Sequence, residues 1–311
     1  MKAVVINKYG SLNELKELEV PTPEIENNQV LLELYATSIN PIDWKLRYGY
    51  LKEQLPFTFP IILGWDAAGI VKEVGQDVSR FKVGDRVFAR PATTNRGTYA
   101  EYTAVDEDLL ARIPDNITFE EAAAVPLAGE TAWQCLVDFS DIKAGDKVLI
   151  HAGAGGVGSY AIQFAKHFGA YVASTASDRN KELLNELGVD QFINYKNQDF
   201  SELLSDYDIV LDTMGGEVMN KSFKVLKEGG KLVSIAGVPD EERAKQKGIK
   251  AGSYWLNPSG KQLSEIANIM ERGIVKSIIG HVMPFTEEGI KEAHKLSETH
   301  HAKGKIVIKM K

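Results

Sequence analysis

The sequence predicts an α/β chain in two parts, a β-rich first third followed by a doubly wound parallel sheet. Three observations carry that expectation. Residues 1 to about 115 hold short apolar runs separated by Gly, Pro, Asn and Asp. From Lys147 onward, strand-like and helix-like segments alternate. Where the two patterns meet, the apolar strand Val148-Leu149-Ile150 runs into Gly153-x-Gly155-x-x-Gly158 and then straight into a helical pattern.

Each element has its own local reason. In the first part the strand candidates are Ala3–Ile6, Val30–Tyr35, Ala68–Val74, Arg86–Ala89 and Ala100–Ala104, broken by turns such as Gly75-Gln76-Asp77 and Gly84-Asp85. Thr118-Phe119-Glu120-Glu121 is a capping box that opens a helical region continuing beyond Pro126. The later strand candidates are Lys147–His151, Tyr171–Thr175, Gln191–Tyr195, Asp208–Thr213 and Lys231–Ala236. Between them lie helices: Asn180–Leu187, with Leu183, Leu184 and Leu187 on one face and Gly188 as its stop, and Glu217–Lys227, stopped at Gly229. Such alternation implies parallel strands joined by crossover helices. After Pro258 come helices Lys261–Arg272 and Glu287–Glu298 and a last strand, Lys305–Lys309. The charged run Asp240–Lys247 reads as a solvated loop or a frayed helix. The division expected is 1–123, 124–260 and 261–311.

Composition narrows the function classes. With 311 residues, 44% hydrophobic and 25% charged, the chain has the balance of a soluble protein of two domains. A net charge of −7 without a basic run disfavours nucleic acid as a partner. The single cysteine, Cys135, excludes an intrachain disulfide and any multi-cysteine zinc module, and its apolar helical setting reads as a core thiol. No apolar stretch is long enough to span a membrane, and MKAVVINKYG reads as a strand rather than a signal peptide, so the expectation is a cytoplasmic protein.

The glycine run is the strongest functional signal. Gly153 permits a tight turn, Gly155 lets backbone approach a pyrophosphate, and Gly158 permits close packing of helix on strand. The helix N-terminus that follows, with Gly156 and Val157, offers amide N–H groups and a positive dipole end to phosphates. The reading is dinucleotide binding, with a nicotinamide cofactor.

The chain resembles the medium-chain dehydrogenase/reductase superfamily over nearly its whole length. The motifs that carry this are Asn40-Pro41-Ile42-Asp43-Trp44, Gly64-Trp65-Asp66-Ala67-Ala68-Gly69, Gly84-Asp85-Arg86-Val87, Gly97-Thr98-Tyr99-Ala100-Glu101-Tyr102, Ala128-Gly129-Glu130-Thr131-Ala132, the Gly153 loop and Gly304-Lys305-Ile306-Val307. The resemblance implies a GroES-like catalytic domain beside a Rossmann domain, with the last strand returning to the first domain. Zinc-dependent members carry metal ligands where this chain looks to have Asn40, Trp65 and Leu127, and these side chains cannot replace two thiolates and an imidazole. His294, His300 and His301 have the spacing of an amphipathic helix end beside solvent. The expectation is no metal. Without a Lewis acid the hydride acceptor must already be electrophilic, as quinones and α,β-unsaturated carbonyls are. The chain is accordingly similar to the zinc-free quinone oxidoreductase (zeta-crystallin-like) branch.

Cofactor choice turns on Ala173-Ser174-Thr175-Ala176-Ser177-Asp178-Arg179-Asn180, where hydroxyls and a guanidinium suit a 2′-phosphate. Asp178 is either a displaced ribose-binding acid or a helix cap. The resemblance places Ser174, Ser177, Arg179 and Tyr195 near the adenosine phosphate, which favours NADPH. It also places Asn40 and Thr131 near the nicotinamide, Asp43 behind the Asn40 loop, and Ala236 and Lys305 as cofactor or pocket contacts. Asn40-Pro41 is equally a turn former and Asp43 a helix cap. Trp44, Tyr48 and Trp65 read as an aromatic wall for a flat substrate or as core; Tyr48 is also a candidate acid, and Trp255 a cover over the nicotinamide. The first reading is a zinc-free NADPH-dependent reductase of quinones or other conjugated carbonyls, expected as a homodimer. The alternatives are a 2-alkenal or enone double-bond reductase and a low-turnover NADPH-binding regulatory protein.

Overall fold

A computed structural model describes all of residues 1–311. The chain forms two compact units, Met1–Glu130 with Pro258–Lys311, and Thr131–Asn257. These divisions fall seven residues after and three before the boundaries expected at 123/124 and 260/261.

The first unit begins with strands β1 (Lys2–Ile6), β2 (Lys16–Glu19) and β3 (Gln29–Ile39), then helix α1 (Pro41–Arg47). Strands β4 (Ile61–Ile62), β5 (Ala67–Val74), β6 (Arg86–Ala89), β7 (Tyr102–Asp106) and β8 (Leu110–Arg112) follow, then helix α2 (Phe119–Ala123) and helix α3 (Pro126–Trp133), whose last three residues belong to the second unit. The capping box holds: Glu121 N donates to Thr118 Oγ1 at 3.2 Å and Thr118 N to Glu121 Oε2 at 2.9 Å.

The second unit alternates strand and helix: β9 (Lys147–Ile150), α4 (Gly156–His167), β10 (Tyr171–Ala176), α5 (Lys181–Glu186), β11 (Gln191–Asn194), α6 (Phe200–Leu203), β12 (Tyr207–Asp212), α7 (Gly216–Val225), β13 (Leu226–Ser234), α8 (Glu241–Gln246) and β14 (Lys250–Ser253). All pairings are parallel, in the order β11-β10-β9-β12-β13-β14, the doubly wound arrangement with its switch point beside β9. A π-helical stretch, Gln134–Phe139, carries Cys135, which is buried as expected, with its thiol pushed up to about 12 by burial. The charged run is a real helix, α8, capped by Asp240, whose carboxylate accepts from Arg243 N at 3.0 Å.

The chain then completes the first unit with α9 (Gly260–Glu271), β15 (Ile279–Pro284), α10 (Glu287–Glu298) and β16 (Lys305–Lys309). Strand β16 pairs antiparallel with β3, Ile306 opposite Ile39, inside a seven-stranded sheet of order β15-β16-β3-β5-β6-β8 with β7 also on β3. A smaller sheet, β2-β1-β4, packs a core of Val4, Ile6, Leu46, Ile61, Trp65 and Tyr99 against Ile290 and Ile306. That pairing is what fixes Lys305 next to the Asn40 end of β3. No helix is long and apolar enough to cross a membrane.

Candidate active site

The second unit contains a cradle shaped for a pyrophosphate. At the end of β9 the chain turns through Ala152, at a φ of +51°, and Gly153 N donates to Thr175 O on β10 at 3.1 Å. A Cβ on Gly153 would lie 2.1 Å from Ser174 Oγ, and one on Gly158 2.5 Å from Ala152 O. Neither position admits a side chain. Gly155 is the N-cap of α4, and Gly155, Gly156 and Val157 are half-buried rather than sealed. The first amides of α4 have no intrahelical acceptor and stand at its positive end. The residues present therefore fit a dinucleotide phosphate.

Around the end of β10 the expected residues separate into two groups. Ser177 is 7% exposed at the strand end, Arg179 is exposed, and Tyr195 is 51% exposed and linked to β10 by its amide, which donates to Ala176 O at 3.3 Å. Beside them lies a groove of about 380 Å³ lined by Asp178, Lys181, Phe192, Asn194, Asn197 and Gln198. Lys181, whose ammonium stands 5.9 Å from the Phe192 ring centre, is a second cation here that the helical pattern had absorbed into α5. Ser174 is a correction. It is fully buried, and its hydroxyl donates to Ile150 O at 2.8 Å, so it fastens β10 to β9 instead of reaching a phosphate. Ala236 is exposed beyond β13, its N–H on Ser234 Oγ at 3.1 Å, and Thr131 is 5% exposed on α3. Asp212 closes β12 by accepting from Met214 N, Gly215 N and Ser234 Oγ.

The first unit holds a buried polar cluster centred on Asp66, which the motif reading had passed over. Asp66 Oδ2 accepts from Ser38 Oγ at 2.5 Å, Asn40 Nδ2 at 2.7 Å and Lys305 Nζ at 3.3 Å, and Oδ1 accepts from Leu127 N at 2.8 Å. Lys305 also donates to Ile39 O at 3.2 Å and Asn40 Oδ1 at 2.5 Å. An ammonium has three protons. All three are committed inside this unit, which corrects the expectation of Lys305 as a direct ligand contact. Arg90 and Glu130 border the same cluster; burial lowers the guanidinium's pKa and pushes the Glu130 carboxyl up to about 8.

A second chain of hydrogen bonds supports α1 from behind. Asp43 Oδ2 accepts from Asn40 N at 2.8 Å and Tyr99 Oη at 2.7 Å, so Asp43 both caps α1 and buttresses the Asn40 turn. Tyr99 Oη meets His294 Nε2 at 3.1 Å, and His294 Nδ1 meets Arg47 Nη1 at 3.0 Å. A guanidinium only donates, so Nδ1 accepts and Nε2 carries the proton. Arg47 Nη2 continues to Glu298 Oε1 at 2.8 Å. Burial and then the Arg47 charge pull the His294 pKa down to about 3, whereas burial pushes Asp43 up to about 7 and Tyr99 well above the usual phenol. The histidine expected beside solvent is fully buried, because α10 turns it inward onto α1.

The aromatic wall dissolves into separate roles. Trp65 is fully buried among Leu63, Tyr99 and Phe57, and its Nε1 donates to Thr94 O at 3.3 Å, so it is core and not a catalytic group. Tyr48 is 37% exposed and stacked on Tyr50, but its hydroxyl is tied to Glu298 Oε2 at 3.2 Å, which leaves it poorly placed as an acid. Trp44 lies edge-on to Tyr48, Tyr50 and His300. Trp255 is 62% exposed on the loop after β14.

Comparison with known proteins agrees with this geometry. Residues 26–115 match the alcohol dehydrogenase GroES-like domain and residues 187–308 the zinc-binding dehydrogenase domain. The chain is 39% identical over 317 residues to the NADPH-dependent alkenal/one oxidoreductase of Arabidopsis thaliana chloroplasts, covering 99% of this chain and 79% of that one. It is 34% identical to a chloroplast envelope quinone oxidoreductase homolog of the same plant, over 99% and 98% of the two chains. The quinone oxidoreductase structure of Coxiella burnetii superposes with a TM-score of 0.94 at 37% identity, over 100% of this chain and 99% of that one. That of Escherichia coli, complexed with NADPH, gives 0.90 at 27% identity over the full length of both chains. A GroES-like unit, a Rossmann unit with an intact glycine cradle and full-length similarity to these enzymes make the chain a member of the quinone oxidoreductase branch of the medium-chain dehydrogenase/reductase superfamily.

Proposed function

We propose that this protein is an NADPH-dependent reductase that delivers a hydride to quinones or other conjugated carbonyl acceptors without a metal. The glycine cradle carries the reading: two positions that exclude any Cβ, followed by the open N-terminus of a twelve-residue helix. When bound, NADPH would supply the hydride, and the conjugated acceptor would spread the arriving charge before taking a proton from water or a cofactor ribose hydroxyl. Gly153 to Gly158 would hold the pyrophosphate, and Ser177, Arg179 and Tyr195 the adenosine 2′-phosphate. Asn40 offers a neutral amide hydrogen-bond donor. Asn40, Trp65 and Leu127 at the positions of zinc ligands support chemistry that does not need a Lewis acid.

The test is NADPH and NADH oxidation at matched concentrations, with a simple quinone and with a 2-alkenal, before and after a chelator. NADPH-selective, chelator-resistant turnover is expected, and the faster acceptor names the substrate class. The names of the relatives support both acceptors, so the enone double bond stands beside the quinone as the second reading. Turnover lost to the chelator would overturn the metal-free reading, and NADPH binding without turnover would favour a regulatory role. The family resemblance further supports a homodimer built on the free edge of β14, and the cytoplasmic location is an expectation from the sequence alone. Sedimentation and cell fractionation test these.

A further inference from the structure

The Asn40 side chain sits between two groups of opposite hydrogen-bonding character. Lys305 can only donate and touches Oδ1 at 2.5 Å; Asp66, ringed by four donors, can only accept and touches Nδ2 at 2.7 Å. Turning the amide over would set its NH₂ against an ammonium and its oxygen against a carboxylate. The orientation is therefore dictated by charge, and the cluster holding it is rigid: Lys305 is 3% exposed, Asp66 and Ser38 fully buried. The hydrogen bonds of Asn40 leave its second Nδ2–H uncommitted.

We propose that Asp66 and Lys305 are positioning residues that lock the Asn40 amide, so that its second N–H is presented to a ligand oxygen in one fixed direction. This inference rests on the reductase reading above. The ligand oxygen is a hydroxyl or carbonyl acceptor, supplied either by the cofactor or by the substrate. Lys305 acts through Asn40 and touches neither.

A mutant cycle on turnover and a spectrum of the cofactor-free protein test it together. Lys305→Met is expected to lower kcat by about 100-fold, the scale of a misdirected group. Asn40→Ala/Lys305→Met should be no slower than Asn40→Ala alone. In cofactor-free protein labelled with ¹⁵N-asparagine, the Asn40 side-chain signal, identified by its loss in Asn40→Ala, should be one sharp pair in the wild type. It should double or broaden in Lys305→Met. If the lone Asp66 charge prevents folding, Lys305→Met/Asp66→Asn removes both charges and should show the same loss. A weaker NADPH Kd would assign the oxygen to the cofactor, and an effect confined to the acceptor's KM and to kcat would assign it to the substrate. Multiplicative losses, an unchanged Asn40 signal, or a lower Tm at wild-type kcat would overturn the lock. A wild type inactive with both acceptors would overturn the reductase reading instead, while the Asn40 signal would still decide the lock.

Discussion

At Gly158 a single methyl group separates a nucleotide cradle from an ordinary turn. Its Cβ would meet backbone, Ala152 O at 2.5 Å and Gly153 Cα at 2.8 Å, which cannot swing away as a side chain would. Gly158→Ala should cost about 1–3 kcal/mol in urea unfolding, the usual scale of overpacking, and should weaken NADPH binding measured by fluorescence. His294 and Asp43 make opposite predictions for pH. His294 stays neutral in the native protein down to about 3, while the unfolded chain takes up its proton below about 6.5. Its contribution to stability therefore falls away as pH drops from about 6.5 toward about 3. His294→Gln should remove that part of the slope. Asp43 binds its proton in the native state up to about 7, whereas the unfolded chain releases it near 3.8, so its contribution is lost as pH rises between those values. Urea midpoints across this range should be flatter for Asp43→Asn. At this scale the sequence singled out Asn40, Asp43 and Lys305, but not that Asp66 and Lys305 hold the Asn40 amide between them. Ser174 and Trp65 read in sequence as a phosphate contact and a substrate wall, but a spent hydroxyl and a sealed indole offer neither.

Among the elements, those with a strong local signal matched and those shaped by neighbours did not. The capping box placed the start of α2, and Thr118→Ala should cost about 1 kcal/mol in thermal or urea unfolding. Helices α9 and α10 and strand β16 follow their apolar spacing and fall within a residue of the expected limits. Strand β3 runs four residues past Tyr35 because Thr37 and Ser38 are buried there, their hydroxyls bonded to Asp66 O and Asp66 Oδ2. Polar residues read as a turn until those acceptors are known. Strand β13 begins at Leu226, inside the stretch that helical spacing assigned to Glu217–Lys227, because Leu226 pairs with Tyr207 on β12. The π-helical turn at Gln134–Phe139 left no trace in the apolar pattern.

For the whole molecule, the chain leaves one unit at Glu130 and re-enters it at Pro258, so the glycine cradle lies in an inserted Rossmann unit. Cofactor binding should stabilise the protein by mass action, by about 2.7 kcal/mol at a hundredfold excess of free ligand over Kd. A thermal scan should show the larger rise in Tm with NADPH, and a smaller one with equal NADH. The sequence by itself determined the two-part α/β class and the cradle, because strand, turn and helix are consecutive and their requirements for glycine are local. It also carries the expectation of metal-free chemistry, through the side chains of Asn40, Trp65 and Leu127. Only the tertiary structure decided the cluster that orders Asn40. Its members come from residues 38, 39, 40, 66, 127 and 305, up to 266 positions apart for one hydrogen bond, and no periodicity records such a pairing. A buried polar side chain is explained by its partner, and strand β16 brings Lys305 to Asn40 only when it pairs with β3.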